Sequence, residues 1–366
     1  MTRGSWARRR RVSMLGALCL AVFGVAAVAV ANADASRTAK PSIIWLEQGA
    51  GNPYWEAQHK AAAEAGRRLG FRFKAVSGNL NPQDQANIMH QLVDQKPTVI
   101  MLNSIDPKAM APALAYAKQK GVKVLNMYGV DGKATASVTF DEIRTGRVAA
   151  KVTLGLLKQR YGSAKGEVAV LSGILGQPAS DIRAKGFTDY MKKQSGVKVD
   201  AVQPTNWAAD KASAAMQDFL VKFPNLAFVY TLSDTLALPA ANIADRQSKL
   251  CTQQNNWKQN SSCVGFVSAD GIFANQVKDG KFFATQLYSP EWSGFLFAQL
   301  AYNLAAGKAV PKVTKINAFL VTPQNATCSL KMINDMKSHM RTFPFGPSLQ
   351  AIAKTKYHCP VLDSNM

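Results

Sequence analysis

The sequence predicts an α/β chain made of two successive open units, each a parallel sheet covered by helices. Three observations predict it. Short β-branched runs alternate with longer helical stretches from Pro41 onward, the same alternation restarts after Met127, and polar residues gather where strands end and helices begin. Strands that alternate with helices need crossover connections, and these build parallel sheets buried on both faces.

The first unit opens with a buried strand over 42–46 (Ser-Ile-Ile-Trp-Leu), then an Ala-rich helix over 54–69 ended by Gly70. A strand over 71–76, a helix over 83–95 and a strand over 98–102 follow. A helix over 107–119 and a strand over 122–127 complete it. The second unit resumes with helix 142–161, strand 166–171, helix 179–194 and strand 197–202. Helix 208–223, strand 227–231, helix 236–246 and strand 264–267 come next, then helix 272–279, strand 282–287 and helix 291–306. In open sheets of this kind, ligands bind beyond the carboxyl ends of the strands.

The first 35 residues read as an export signal. Arg3 and Arg8 to Arg11 form a basic start, residues 14–30 are apolar and uncharged, and small residues at Ala31, Ala33 and Ala35 offer cleavage after Ala33 or Ala35. The order of these segments argues for removal rather than membrane anchoring, and the bulky Leu18 before Cys19 argues against a lipoprotein. A periplasmic location is expected. The whole chain carries a net +21; cleavage after Ala35 removes five arginines and one aspartate and leaves 39 basic against 22 acidic residues, a net +17. These charges are scattered, and export removes nucleic acid from reach, so a solvated basic surface is expected instead. The remaining 330 or so residues suffice for two lobes, each with its own core.

Four cysteines remain after cleavage, Cys251, Cys263, Cys328 and Cys359, an even number that suggests disulfides in an oxidising compartment. Pairing of neighbours gives Cys251–Cys263 and Cys328–Cys359, but three pairings are open to four cysteines. No zinc-type spacing accompanies them, and neither a metal nor a cofactor is expected. There is no G-x-S-x-G, H-E-x-x-H or Walker sequence, and His59, His90, His339 and His358 fall in helical or tail contexts. An enzyme is therefore not expected. A repressor of the same two-lobed design would need a DNA-binding helix-turn-helix where the export signal stands.

The predicted strand ends carry the chemistry. The first leads into Gln48, Gly49, Ala50, Gly51, Asn52, Pro53, Tyr54 and Trp55, with Asn52 a natural helix cap and Pro53 in the first turn. Others lead into Asp106, into a loop one turn before Arg183, into Ser233-Asp234 and into Asp270-Gly271. Taken singly, each polar residue serves as a cap. Together they converge where a cleft would lie, and they suit a hydroxylated ligand. Carboxylates accept its O–H groups, Arg and Asn donate to its oxygens, and aromatic rings cover its C–H faces.

In order and spacing, the Asn52-Pro53-Tyr54-Trp55 turn, the Asp106 turn, Arg183 before Gly186-Phe187, Ser233-Asp234 and Asp270-Gly271 resemble the type I periplasmic sugar-binding proteins, above all the ribose/galactose branch. The resemblance spans roughly residues 42–306. It implies two Rossmann-like lobes with parallel central sheets, joined by a three-strand hinge and closing on one ligand. By position it implies ligand contacts at Gln48, Asn52, Asp106, Arg183, Asp234 and Asp270, and aromatic stacking at Tyr54, Trp55 and Trp207. Three positions depart from the family pattern: Tyr128 stands for an aspartate, Tyr288 for a glutamine, and Ser233 for an asparagine. This exchange favours a ligand with fewer hydroxyls or more stacking surface than ribose.

The function implied is the substrate-binding component of an ABC importer, a monomer that captures a small sugar or polyol and delivers it to an inner-membrane permease. The alternative is a binding protein that presents a less polar or aromatic solute to a chemoreceptor or sensor kinase. The lobes are expected to comprise 36–128 plus 289–317 and 129–288 plus 318–366, with the tail covering a lobe.

Overall fold

The computed structural model describes residues 39–129, 132–346 and 348–362. The expected export signal, its cleavage sites and Cys19 lie outside the described residues. In chain order the elements are β1 (Ser42–Glu47), α1 (Pro53–Leu69), β2 (Arg72–Ser77), α2 (Pro82–Asp94), β3 (Val99–Asn103), α3 (Pro107–Gln119), β4 (Lys123–Met127) and β5 (Ala136–Phe140). Then come α4 (Glu142–Tyr161), β6 (Lys165–Ser172), α5 (Pro178–Met191), β7 (Gly196–Pro204), α6 (Ala209–Lys222), β8 (Leu226–Thr231), α7 (Asp234–Arg246) and β9 (Gly265–Val267). The chain closes with α8 (Asn275–Lys278), β10 (Thr285–Leu287), α9 (Pro290–Ala305), β11 (Val313–Ile316), β12 (Phe319–Val321), α10 (Ala326–Ser338) and α11 (Leu349–Tyr357).

Two parallel sheets result. The first has the order β11-β5-β4-β3-β1-β2, the second β7-β6-β8-β9, and β10 pairs antiparallel with β12 beside the second sheet. The inner strand β3 (Val-Ile-Met-Leu-Asn) is buried at every position, whereas the edge strands β2 and β7 expose much of their length. This is the burial expected of sheets covered by helices on both faces. The chain passes between the sheets after Phe140, after Leu287 and after Ile316.

Two differences from the sequence reading stand out. The expected lobe boundary at 128 falls one strand early, because β5 pairs with β4 in the first sheet and carries β11 at its edge. Ala-Ser-Val-Thr-Phe is too short and too mixed to announce a strand after a glycine- and lysine-containing loop. The helix expected over 272–279 shrinks to the single turn of α8.

The segment 318–366 was expected with one lobe, but its helices touch elements of both. α10 packs on α8 and α9, and α11 on α10. Arg68 of α1 donates to the Phe343 carbonyl at 3.0 Å, and Trp292 Nε1 of α9 donates to the Gly346 carbonyl at 2.6 Å. Cys251 is bonded to Cys263 and Cys328 to Cys359, closing loops of 12 and 31 residues. In chain-entropy terms such cross-links contribute about 3 and about 4 kcal/mol.

Helices α4 and α5 cross at two glycines. A Cβ at Gly146 would lie 2.1 Å from the Arg183 carbonyl oxygen, and one at Gly186 would lie 2.4 Å from that of Ile143. Only glycine lets the two backbones touch, and this approach sets Glu142 on α4 beside Arg183 on α5.

Candidate functional site

The carboxyl ends of the two sheets line a cavity of about 50 Å³. The loop after β1 supplies Gln48 and Asn52, and the first turn of α1 supplies Tyr54 and Trp55. Asn52 caps α1, its Oδ1 accepting the Tyr54 N–H at 2.9 Å, so the cap that starts the helix also fixes the cleft wall. Gln48 Nε2 donates to Asn103 Oδ1 at 3.2 Å and to the Ser104 carbonyl at 3.1 Å. Its Oε1 is buried and has no partner among the described residues. A buried acceptor left without a donor costs about 1–3 kcal/mol, which a ligand hydroxyl would return.

From the other lobe, Arg183 Nε donates to Glu142 Oε2 at 2.7 Å, and Nη1 donates to the Leu232 carbonyl. The Tyr288 ring is stacked on Phe140, centroids 3.8 Å apart, and the Arg183 guanidinium lies 4.7 Å from its centre. The Tyr288 hydroxyl donates to Glu142 Oε2 at 2.8 Å. Burial pulls the Arg183 guanidinium down, but Glu142 and the neighbouring tyrosines outweigh it and hold the pKa well above its ordinary value. The cation and its carboxylate neutralise each other within the wall.

Asp270 sits at the end of the loop after β9. Its Oδ1 accepts the Ile272 N–H at 3.1 Å, and Oδ2 accepts from the Ser233 hydroxyl. Burial, and then the charge of Asp234, push its carboxyl well above the usual range. Trp207 donates from Nε1 to Gln177 Oε1 at 2.8 Å and lies against Gly173, where a Cβ would meet the ring at 2.1 Å. Tyr128, Trp207 and Asp270 hold φ of 62°, 60° and 76°, a region that side chains disfavour. Such strain persists only where surrounding structure enforces it, and it often collects at binding sites.

Of the residues expected in the site, Gln48, Asn52, Tyr54, Trp55, Tyr128, Arg183, Trp207, Ser233, Asp270 and Tyr288 line this cavity. Asp106 and Asp234 are not among its lining residues. Asp106 is a cap, its Oδ1 accepting the Lys108 N–H at 2.7 Å. Asp234 is fully buried, accepting from Thr285 Oγ1 at 2.7 Å and from the Phe273 N–H at 2.9 Å, and so ties β10 to the loop after β9. Burial pushes it up to about 6. Sequence reasoning missed Asn103, Gln177 and Glu142. Asn103 and Gln177 do stand at strand ends, but Glu142 lies within an ordinary capped helix start and is drawn in only by the α4–α5 crossing.

Two lobes joined by three crossings bring polar residues and aromatic faces together at the strand ends, and a family model described as periplasmic binding protein domain matches residues 43–309. The chain belongs to that family. The ribose import binding protein RbsB of Salmonella typhimurium is 26% identical over 304 residues, 82% of this chain and 97% of that one. The D-allose-binding periplasmic protein of Escherichia coli K12 is 25% identical, covering 71% of this chain and 83% of its own. A Mycobacterium smegmatis structure in complex with β-D-fucofuranose superposes with a TM-score of 0.72 at 20% identity, covering 82% and 97% of the two chains. The α/β fold with parallel sheets is that of the family. No helix among the described residues of this periplasmic binding protein is long and apolar enough to cross a membrane.

Proposed function

We propose that this protein is the exported substrate-binding component of an ABC importer. It captures a small, uncharged sugar or polyol by closing its lobes and presents the closed form to a membrane permease, without chemical change to the ligand. The observation that carries the reading is the composition of the cavity. The unpartnered Gln48 Oε1, the amides of Asn52 and Asn103 and the Asp270 carboxyl stand among the aromatic faces of Tyr54, Trp55 and Trp207. Its one cation, Arg183, is already matched by Glu142, so the site has little to offer an anion. The ribose and allose relatives support the same ligand class. Closure follows from mass action, since a ligand that bonds to both lobes stabilises the closed state by its extra affinity for it.

The test is a thermal-shift panel of pentoses, hexoses, deoxy sugars and polyols on the mature protein. A binder at 100 times its Kd should stabilise the fold by about 2.7 kcal/mol. A flat response to every carbohydrate and polyol would overturn the proposal.

A further inference from the structure

We infer that the ligand is a small glycoside whose second, uncharged ring lies in an outer groove at the mouth of the cleft. This rests on the sugar-binding reading above and extends it. The inner cavity holds about 50 Å³, whereas the adjoining groove holds about 550 Å³. The two spaces meet at Asn52, Trp55 and Trp207, which line both. The groove is therefore continuous with the site, and most of the room for a ligand lies outside the inner cavity.

The groove's chemistry narrows the occupant. Both lobes contribute, Leu80 from the first and Leu238, Asn242 and Phe273 from the second. None of the residues lining it is charged, in a chain of net charge +21. A surface kept free of charge on so basic a protein suits a neutral group. Trp55, Trp207 and Phe273 offer flat faces for a ring, while Asn206 and Asn242 offer amides for its polar edge. Asn242 Oδ1 already accepts from Lys281 Nζ at 3.0 Å, which leaves its amide N–H groups to donate. Leu80 is 49% exposed at the groove's rim, an apolar side chain with more to gain from a covering ring than from water. Because the groove's walls come from different lobes, a second ring there would add to closure as well as to affinity.

Isothermal titration tests this with free pentoses and hexoses beside their methyl glycosides, phenyl glycosides and disaccharides. At least one phenyl glycoside or disaccharide should bind about tenfold or more tighter than its parent monosaccharide, the scale of one well-stacked ring. Methyl glycosides, with no second ring, should gain little. Leu238→Arg should abolish the gain of the ring-bearing ligand and leave the monosaccharide's affinity unchanged, which also shows that the variant is folded. Leu238→Gln should reduce the gain in part. A phenyl ring and a sugar ring are separate arms of the panel, and the tighter one names the ring. If monosaccharides bind while every ring-bearing glycoside binds equally or worse, the outer-groove inference falls and the sugar-binding reading stands. If no carbohydrate binds in any form, both fall.

Discussion

Glu142→Gln removes the countercharge of Arg183 while keeping the shape of the side chain. The two groups meet at 2.7 Å with side chains 3% and 5% exposed, and the same Glu142 oxygen accepts from Tyr288 at 2.8 Å. Glutamine still offers an acceptor, but it leaves a guanidinium charge stranded out of water. Breaking one side of a buried pair costs about 3–5 kcal/mol, and the Tyr288 bond, no longer charge-assisted, gives up about 1 kcal/mol more. Urea unfolding at neutral pH should therefore show a loss of about 4–6 kcal/mol with an unchanged m-value. Ligand affinity should fall as well, because Arg183 loses the partner that aims it. The double variant Glu142→Gln/Arg183→Met leaves no charge behind and should recover to within about 1–2 kcal/mol of the parent in stability. It should not recover ligand affinity. A single variant within about 1 kcal/mol of the parent would show that the pair does not act as a buried one, since a surface pair behaves that way. So would a double variant no more stable than the single one.

Two further outcomes are expected. Burial raises both Asp234 and Asp270, so the folded protein holds protons that the unfolded chain would release. Stability present at low pH is then lost as pH rises from 3.8 through about 6 for Asp234, and further upward for Asp270. The ligand-free melting temperature should fall over that window, and Asp270→Asn should flatten the upper part; an equal slope in the variant would exclude Asp270 as its source. Gly173→Ala places a methyl where the Trp207 ring lies 2.1 Å away. Ligand affinity should drop about tenfold or more as stacking with the ring is lost, alongside a stability loss of about 1–3 kcal/mol from the overpacking. Unchanged affinity by titration would show that Trp207 does not touch the ligand.

The strand ends that line the cavity are legible in the sequence. Ser42–Glu47 and Val99–Asn103 are short β-branched runs, and each is followed by a polar turn and a proline that opens a helix. Period and punctuation are local properties, and they place Asn52, Tyr54, Trp55 and Asp270 at strand ends without reference to any partner. Ala136–Phe140 was not legible, because a five-residue strand acquires its identity from pairing with β4 and β11 rather than from its own pattern. The tail failed for the same reason. Its contacts with Arg68 and Trp292 join segments more than fifty residues apart.

Within the cleft the division is sharper. Sequence position alone made Asp106, Asp234 and Asp270 equivalent, three carboxylates at three strand ends. Folding separated them. Asp106 faces the open first turn of its own helix, Asp234 is consumed by Thr285 and the Phe273 amide, and Asp270 lines the cavity. The same holds for Arg183, which residue type marks as a donor: it spends Nε on Glu142 and Nη1 on the Leu232 carbonyl, and only the rest of its guanidinium is left to the cavity it lines. Residue type and local turn chemistry decide which groups reach a strand end. Which of them is spent on the protein and which is left for a ligand depends on long-range neighbours, because a buried polar group takes whatever partner packing brings within about 3 Å.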